Sequence, residues 1–420
     1  MHTNETVDCC KISEAASILG VSVDTIRRWE KMGLIKASRD TNSHRVFNID
    51  ELKRLQQKVS GHHEKNNYRV LVSKERYAVS CIDLFAGAGG TALGFHNAGI
   101  EHSLLAEINR DASETLRANS KTFGFNWNVC EGDVAGIDFS NMTADIIQAG
   151  FPCQAFSYAG KSLGFEDTRG TMFFEFARAI KEIQPKIAIG ENVRGLLTHD
   201  GGKTLNTMIK VLSDLGYTTT YKVLRAQYFD VPQKRERLIL FATRNDLNLP
   251  AVFPRERDYI ISLSEAFEGC PDSIGQSYTE RKRRIMELIP EGGYWRSLPD
   301  ELQREYMGAS YFLGGGKTGM ARRLSWNQPS LTFTCNPAQK QTELCHPSET
   351  RPLNVREYAR IQTFPDSWAF SGSMCSQYKQ IGNAVPVNLG YHVGRCALAA
   401  LGYIDITDDM DVVHPLLEDS

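Results

Sequence analysis

The segment DLFAGAGG (residues 83–90) decides the fold prediction, because it closes an apolar run at 79–85 and holds three glycines. Glycines let the backbone turn tightly and approach a ligand, and a helix is expected to begin at about Thr91. Taken alone, such a loop is weak evidence, since a nucleotide phosphate site or a plain tight turn would look similar. It predicts a strand, a ligand-binding loop and a helix in that order.

Apolar runs alternate with amphipathic stretches along the rest of the chain. The runs lie at 79–85, 103–106, 145–149, 186–189, 219–224 and 237–242. Short apolar runs separated by helical patterns indicate βαβ units and a parallel sheet. We therefore predict an α/β fold with a doubly wound, mostly parallel sheet, and a chain of 420 residues predicts two or three domains.

The composition is that of a soluble protein, with 41% hydrophobic and 23% charged residues. The net charge of −2 does not indicate nucleic-acid binding, but residues 21–60 carry nine Lys/Arg against five Asp/Glu, whereas 401–420 carry six acids and no Lys or Arg. The N-terminus has no signal-peptide pattern, so a cytoplasmic location is expected. The ten cysteines lack CxxC spacing, which favours neither a zinc site nor a disulfide framework.

Residues 10–57 predict a small helical module. Helices are expected at 13–19 and 23–32, with Gly20 between them, Ser22 as a cap and Gly33 at the end, followed by a helix at 51–58. This is a helix-turn-helix pattern, and its second helix carries Arg27, Arg28 and Lys31, which suit DNA. The alternative is a basic helical hairpin that only packs on its neighbour.

Two acids follow the glycine loop at positions that suit an adenosyl ligand. Glu107 ends the second apolar run about 20 residues after the loop, where a carboxylate can bind a ribose hydroxyl. Asp133 follows Gly132 and is expected to accept from an adenine amine. The chain lacks a GK[ST] triphosphate signature, so S-adenosyl-L-methionine fits better than ATP.

Chemically useful residues also follow later strands. Cys153 comes after the run at 145–149, at the carboxyl end of a parallel strand, where such sheets bind ligands. Glu191 follows the run at 186–189 and is expected at the same sheet edge. Arg235 and Arg237 precede the last strand and are expected to point to opposite sides. A single Pro-Cys pair means little without these companions.

These motifs together carry a family resemblance. The chain resembles bacterial DNA (cytosine-5)-methyltransferases over about residues 79–401, with the motifs in the usual order. The matching pieces are DLFAGAGG (83–90), GFPCQAFS (150–157), ENV (191–193), QYFDVPQKRERL (227–238), REYARIQTFPD (356–366) and QIGNAVP (380–386). The N-terminal stretch resembles the winged helix-turn-helix of MerR-type and excisionase-type proteins, and a MerR-type dimerisation coiled coil does not follow it.

The resemblance implies covalent catalysis on a cytosine flipped out of the DNA. The Cys153 thiolate would add to carbon 6, so that carbon 5 becomes nucleophilic towards the methyl group of the cofactor. Glu191 would contact ring nitrogen 3, and Arg237 would bind the cytosine carbonyl. Arg235 would face DNA or the covalent adduct. Gln154, Ser157 and Gln233 are expected to contact DNA.

The resemblance also assigns the cofactor site. Phe85 would stack on the adenine, Glu107 would bind the ribose and Asp133 the adenine amine. Ile108 departs from the family, which often carries an aromatic residue there. The remaining cofactor-binding residues implied are Asp83, Gly87, Gly89, Pro152, Asn383 and Val385.

The expected domains follow from the motif positions. The helix-turn-helix module spans 1–60, a linker 61–78, the catalytic domain 79–244 and 328–402, and an acidic tail 403–420. Residues 245–327 match no motif and are expected to recognise the target sequence, with arginines at 281–284 and 322–323 available for guanine edges. A phosphate contact or a solvated charged face is about as plausible for any one arginine.

We expect an enzyme that makes 5-methylcytosine in duplex DNA, as a monomer, in a restriction-modification system whose nuclease does not bind it stably. One alternative is a transcription regulator with an inactive methylase fold, which the intact Cys153, Glu191 and Arg237 argue against. The other is an RNA cytosine methyltransferase, which the long insert and the helix-turn-helix module argue against. The module is expected to regulate its own promoter or to tether the enzyme.

Overall fold

The computed structural model of the chain describes residues 9–19, 21, 23–31, 35–39, 44–49, 51–52, 55, 66–151, 171–312 and 317–413. The predictions for Gly20, Ser22, Gly33, Pro152, Cys153, Gln154 and Ser157 lie outside these residues. None of the helices among the described residues is both long enough and apolar enough to cross a membrane.

The N-terminal module is a small winged helical unit. Helices α1 (Ile12–Leu19) and α2 (Val23–Lys31) lie within one residue of their predicted bounds. Strands β1 (Cys9–Lys11), β2 (Ser38–Arg39) and β3 (Arg45–Asn48) form an antiparallel sheet in the order β1-β3-β2. Apolar side chains of both helices and of β3 share one core, which includes Ala15, Ile26 and Phe47. The exposed side of α2 keeps its basic residues.

The central sheet has seven strands in the order β6-β5-β4-β7-β8-β11-β9. Its strands are β4 (Ser80–Leu84), β5 (Glu101–Glu107), β6 (Val129–Glu131), β7 (Ile146–Ala149), β8 (Ile187–Val193), β9 (Tyr217–Arg225) and β11 (Glu236–Arg244). Only β11 runs antiparallel to its neighbours. The six predicted runs are all strands, and β6 is an additional one, since two half-buried residues followed by the exposed Glu131 give no apolar run.

Helices cover both faces of this sheet, which confirms the doubly wound prediction. The α-helices described outside the N-terminal module are α3 (Gly90–Ala98), α4 (Arg110–Phe123), α5 (Met172–Ile183), α6 (Lys203–Asp214), α7 (Leu263–Phe267), α8 (Glu280–Glu287), α9 (Asp300–Met307), α10 (Val355–Ile361), α11 (Met374–Asn383) and α12 (Val387–Ala400). Of these, α8 and α9 belong to the insert and do not cover the sheet. On one face α3 and α12 pack in a single core, and on the other α5 and α6 do so.

Shorter strands join distant parts of the chain. Strand β10 (Gln233–Lys234) pairs in parallel with β13 (Ser330–Leu331). Strand β12 (Ala251–Pro254) pairs with β14 (Met410–Val413), so part of the segment expected to be an acidic tail is a strand. Because Val252 and Phe253 belong to the catalytic core, residues 251–254 pack with the sheet rather than with the insert.

The insert has its own small apolar core. Met286, Trp295, Met307 and Met320 pack together in it, and Cys345 belongs to the same cluster. The cluster therefore extends beyond residue 327, the boundary expected from the motifs.

Residues 66–78, expected to be part of a linker, lie bound along the catalytic domain. The Leu71 amide donates to Asn388 Oδ1 at 2.9 Å, and Asn388 Nδ2 donates to the Arg69 carbonyl at 2.8 Å. Further along, the Ser73 amide donates to the Asn97 carbonyl at 2.7 Å. We call residues 66–78 the strap.

Candidate active site

A cavity of about 820 Å³ opens at the carboxyl ends of β4, β5, β7 and β8. That volume is ample for a nucleoside-sized ligand. The structure brings nine of the predicted site residues into its wall: Asp83, Phe85, Gly87, Glu107, Glu191, Arg235, Arg237, Asn383 and Val385. Residues separated by up to 302 positions in the sequence thus share one site.

The glycine loop and Glu107 form one end of the cavity. Phe85 has a φ of 62°, a left-handed conformation that is rare for an aromatic residue and costs free energy. The Glu107 carboxylate accepts from the Gly87 amide at 2.8 Å and from the Asn109 amide at 2.7 Å. These bonds fix the loop to the end of β5. They also leave lone pairs on both carboxylate oxygens for a ligand.

Asp83 is a buried carboxylate beneath this loop, 1% exposed. Burial, and after it the charge of Glu107, raise the pKa of Asp83 well above its usual range. With its nitrogen turned towards Asp83, the Gln148 amide donates to this carboxylate, 3.2 Å from Oδ2. A cation bound at this end of the cavity would offset the charge repulsion between the two groups and would favour the ionised form of Asp83.

Glu191 and Arg237 form an ion pair at the other end, with 2.5 Å between Glu191 Oε1 and Arg237 Nε. Their side chains are only 14% and 11% exposed, so water screens the pair weakly. Strand β8 runs through Val193 rather than ending at Ile189, so Glu191 lies within the strand, opposite Ile239 of β11. Burial lowers the pKa of Arg237, and the nearby Glu191 opposes that effect.

Arg235 lines the same cavity as Arg237, so the expectation that the two point to opposite sides is wrong. Residues two apart in an extended segment share a face. Arg235 is 3% exposed and donates to the Gly382 carbonyl at 3.2 Å, but its Nε has no partner. Burial, and then the charge of Arg237, lower the pKa of Arg235 to about 9. It remains a cation at neutral pH with an unused donor.

Asn192 anchors the segment that leads to Cys153. Its Nδ2 donates to the Phe151 carbonyl at 2.9 Å, and its Oδ1 accepts from the Val193 amide at 2.8 Å. A Cβ added at Gly150 would lie 3.3 Å from Glu191 Oε2, so the carboxylate lies against the backbone three residues before Cys153. The segment that leads to Cys153 is therefore held beside Glu191 at Gly150 and Phe151.

The QIGNAVP segment closes the cavity from the C-terminal side. Asn383 Oδ1 accepts from Cys335 Sγ at 3.1 Å. The Val385 carbonyl packs so tightly on α3 that a Cβ at Gly90 would lie 2.1 Å from it. Only glycine fits at the first turn of that helix.

Three predicted residues do not line the cavity. Asp133 is exposed and accepts from the Ala135 amide at 2.9 Å, capping a short 3-10 helix. Gly89 packs on the core, where a Cβ would lie 2.7 Å from Leu116. Gln233 is fully buried, with Nε2 donating to Gln362 Oε1 at 3.3 Å. Its expected contact with DNA is wrong for this structure, because the side chain does not reach the surface.

The cavity wall contains polar residues that the sequence did not single out. They include Gln148, Thr334, Cys335 and Lys379. Gln148 could have been predicted, because it is a polar residue inside the apolar run IIQA (146–149). In the structure it pairs in register with Asp83. Residues 332–335 carry no comparable signal, because tertiary contacts alone bring them to the site.

A second, cationic cavity of about 460 Å³ adjoins the first and shares Arg235 and Arg237 with it. Arg194, Arg225 and Lys234 add positive charge, and Glu236 is its one acid among the described residues. Such a surface beside a catalytic pocket suits a phosphate backbone.

The basic residues at 281–284 of the insert all have carboxylate partners. In α8, Arg283 pairs with Glu280 at 3.0 Å and with Glu287, and Arg284 also pairs with Glu280 at 3.0 Å. Arg281 and Lys282 have carboxylate partners too. Each residue of the run at 281–284 therefore has a carboxylate partner within the protein, although the arginine pairs are exposed and so are weak.

In the N-terminal module, Arg27, Arg28 and Lys31 are exposed on α2. Arg27 makes a surface ion pair with Asp24 at 2.9 Å. Surface pairs of this kind are weak, so the face stays available for a polyanion.

Comparisons with known proteins agree with this geometry. Residues 79–397 match the family model for C-5 cytosine-specific DNA methylases, and residues 11–47 match that for MerR family regulatory proteins. The chain is similar to the type II methyltransferase M.Eco47II of Escherichia coli, with 53% identity over 407 residues that cover 94% of this chain and 96% of the relative. It is also similar to M.PspPI of Psychrobacter sp. (strain TA137), with 49% identity over 92% of this chain and 95% of the relative.

Solved structures support the fold. A prophage-encoded DNA modification methyltransferase of E. coli has a TM-score of 0.56 and 22% identity, covering 77% of this chain and all of that one. Spodoptera frugiperda DNMT2 has a TM-score of 0.53 and 17% identity over 76% of this chain and all of that one. The family match covers most of the chain, and the chain therefore belongs to the C-5 cytosine-specific DNA methylases, enzymes that methylate carbon 5 of cytosine in DNA.

Proposed function

We propose that the chain is a type II modification enzyme that transfers a methyl group from S-adenosyl-L-methionine to one cytosine of a short, specific duplex sequence. The observation that carries this proposal is the buried Glu191–Arg237 pair, 2.5 Å apart, in the same cavity as Phe85 and Glu107. One end suits a cationic adenosyl ligand and the other suits a polar base. The named type II relatives support the restriction-modification context.

The residues at the first end fit the proposed cofactor. Glu107 would accept from ribose hydroxyls, and the Phe85 ring and the exposed Ile108 side chain offer apolar surfaces to an adenine. A sulfonium or ammonium group bound here would lie at the end of the cavity that holds Glu107 and would favour the ionised form of Asp83. Gly87 has no neighbour within 4 Å of an added Cβ, which leaves space for the methionine part. Bound there, the cofactor supplies an electrophilic methyl group.

The cofactor roles of Gly89, Asp133, Pro152, Asn383 and Val385 remain part of the proposal. For Asp133, the carboxylate oxygen that does not cap the 3-10 helix is the one available to an adenine amine. Asn383 and Val385 line the cavity opposite the glycine loop.

At the second end, Cys153 acts as the nucleophile. Its thiolate adds to carbon 6 of the flipped cytosine, which raises the electron density at carbon 5. Glu191 hydrogen-bonds ring nitrogen 3, and Arg237 binds the carbonyl oxygen. Once carbon 5 carries the methyl group, its proton passes to water in the cleft, and the electron pair left behind expels Cys153 as a thiolate by breaking the carbon–sulfur bond. Arg237 has a second task, because it holds Glu191 in place before the base enters.

DNA is held around this pocket. Arg235 turns its unused Nε towards the adduct or the DNA, and Gln154 and Ser157 contact the flipped nucleotide or its phosphates. The cationic cavity beside the site accepts the adjoining backbone. The insert recognises the sequence, and the enzyme works as a monomer without stable binding to its nuclease.

The test is transfer of tritium-labelled methyl groups to duplex DNA by the wild type and by Cys153→Ala. The wild type should place label on carbon 5 of cytosine, and the variant should place none. Label in RNA instead of DNA, or full activity of Cys153→Ala, would overturn the proposal. Bisulfite sequencing of the host DNA would then identify the target.

A second role follows from the N-terminal module. We infer that α2 binds a DNA sequence of its own through Arg27, Arg28 and Lys31. These residues give α2 the exposed basic face that binding in a DNA groove requires. Binding at the gene's own promoter would make the enzyme its own repressor. A gel shift of the full chain on its upstream DNA, compared with Arg27→Glu/Arg28→Glu, tests this role. Equal shifts for both proteins would overturn it.

A further inference from the structure

The two neighbouring arginines 322 and 323 of the insert have opposite surroundings. Arg323 is 5% exposed, and its guanidinium donates to the carbonyls of Ile289 at 2.7 Å and Met286 at 2.7 Å. It also donates to the carbonyls of His346, Pro347 and Glu349. Arg323 therefore uses its donors within the insert and is not available to DNA.

The backbone around this pair is held on both sides. The Arg323 amide donates to the Gly293 carbonyl at 3.1 Å, and the Arg322 carbonyl accepts from the Cys345 amide at 2.9 Å. In an extended segment adjacent side chains point to opposite faces. Since Arg323 points inward, this held backbone directs Arg322 away from the core.

Arg322 lacks the partners that its neighbours have. Its guanidinium lies over the Tyr294 ring, 5.6 Å from the centroid, and its buried Nε has no hydrogen-bond partner. No carboxylate of the described residues pairs with it, in contrast to the arginines of α8. Burial lowers the pKa of Arg322. A half-buried guanidinium that is held over a ring, with one buried donor left unpaired and no carboxylate beside it, is arranged for a ligand that supplies acceptors to its outer nitrogens.

The position of Arg322 connects the insert to the catalytic cleft. The chain that follows Arg322 leads into β13, whose Leu331 pairs with Lys234 of β10. Lys234 lines the cationic cavity beside the active site, and its Nζ donates to Gln328 at 3.0 Å. A DNA duplex whose flipped base occupies the active site would thus present nearby base edges to Arg322.

We propose that Arg322, held over Tyr294 at the edge of the catalytic cleft, is the arginine of the insert that reads a guanine in the target sequence. This rests on the proposed function. A planar guanidinium can donate two parallel hydrogen bonds to O6 and N7 of guanine in the major groove. The arginines of α8, which the sequence favoured equally, would not specify a base.

The experiment compares Arg322→Lys with Arg284→Lys, a matched change in the same domain. The wild-type target is first defined by bisulfite sequencing, and methylation rates are then measured on the target and on duplexes with each base pair substituted singly. For Arg322→Lys we expect at least a tenfold loss of preference at one G·C pair, with preference kept at the other positions. Arg284→Lys should keep the wild-type preference throughout.

The outcomes separate the possibilities. An equal fall in rate on all duplexes would mean a phosphate contact, and unchanged preference would mean no contact; either would overturn the proposal. Thermal melting checks that the variants fold, and Arg322→Met is the second variant should Arg322→Lys be unfolded. If the wild type itself methylates no DNA, the proposed function fails, which is a different result from a failure of Arg322 alone.

Discussion

At the residue scale, the Glu191–Arg237 pair is the clearest chemical feature of the site. A pair so little exposed depends on both members, since removing one leaves the other charge desolvated and unpaired. The pair also holds the carboxylate where a base edge would meet it. Its loss should therefore affect the chemical step more than DNA binding.

Glu191→Gln keeps the shape of the side chain but removes its negative charge and its ability to take up or give up a proton. We expect kcat to fall by roughly 10²–10³, because a positioned acid–base or charge-stabilising group contributes on that order. KM for DNA should change little. Single-turnover transfer of labelled methyl groups is the measurement, with Asp214→Asn as the control, since Asp214 pairs only with Lys210 on the surface of α6. Retention of half the wild-type kcat would contradict the assigned role.

At the element scale, α3 and α12 approach each other through glycines spaced four apart on both helices. Gly90 and Gly94 face Gly390, Gly394 packs on Phe95 and Ala98, and a Cβ at Gly94 would lie 2.5 Å from the Val387 carbonyl. This close packing holds the QIGNAVP segment against the glycine loop. The contact of the two helices therefore sets one dimension of the cofactor cavity.

Gly94→Ala should force these helices apart. We expect a loss of about 1–3 kcal/mol in stability, as for other overpacked sites, and weaker binding of S-adenosyl-L-methionine. Urea unfolding and calorimetric titration measure the two effects. Gly136→Ala is the control, because an added Cβ there meets nothing within 4 Å. Equal stability of the two variants would show that α3 and α12 can separate without cost.

Arg323 holds several backbone segments of the insert together through its hydrogen bonds to their carbonyls. Arg323→Met would leave several buried carbonyls without donors, and we expect the protein to lose at least about 3 kcal/mol of stability. Differential scanning calorimetry should show a lower melting temperature. The comparison is Arg284→Met, which removes only an exposed ion pair with Glu280 and should change stability by no more than about 1 kcal/mol. Similar melting of both variants would exclude the anchoring role.

At the scale of the whole molecule, the strap links the N-terminal module to the catalytic domain. Its contacts reach helix α12 through Asn388 and helix α10 through Tyr68, whose hydroxyl donates to the Arg360 carbonyl at 3.0 Å. The strap thus acts as a structural part of the methylase.

Truncation should separate the two parts. A chain that begins at Asn66 should melt as the wild-type catalytic domain does and should keep methylation activity. A chain that begins at Val79 loses the strap and should be less stable by at least about 2 kcal/mol, since buried Asn388 would lose its two strap partners and keep only the Asp230 carbonyl for its side chain. Thermal melting of both proteins is the measurement. Identical melting curves would show that residues 66–78 are a passive linker.

The stability of the whole molecule should also depend on pH through two histidines near α3. Burial lowers the pKa of His96 to about 4 and that of His102 to about 3, from 6.5. Below pH 6.5 these histidines become protonated in the unfolded chain but stay neutral in the folded protein, so the free energy of unfolding decreases as the pH drops towards 4. Each histidine contributes up to about 1.4 kcal/mol per pH unit.

Urea unfolding at pH 7, 6 and 5 measures this dependence. His102→Phe should flatten it, because the replacement cannot be protonated and suits the surrounding aromatic residues Phe95 and Trp127. An unchanged slope in that variant would assign the acid sensitivity to other groups.

Sequence alone predicted the alternating α/β pattern, the order of the motifs and nine residues of the cavity wall. Those features rest on local signals: apolar runs, a glycine loop, and polar residues where strands end. Because the carboxyl ends of parallel strands share one edge, Asp83, Glu107 and Glu191 could be assigned to a common site without coordinates.

Only the tertiary structure decided which of several similar residues face the site. It placed Arg235 beside Arg237, buried Gln233, and gave the arginines of α8 carboxylate partners while Arg322 has none among the described residues. It also brought Cys335 to Asn383 across 48 positions of sequence. Local sequence does not predict these differences, because the burial and pairing of a polar side chain depend on which distant segments of the chain pack next to it.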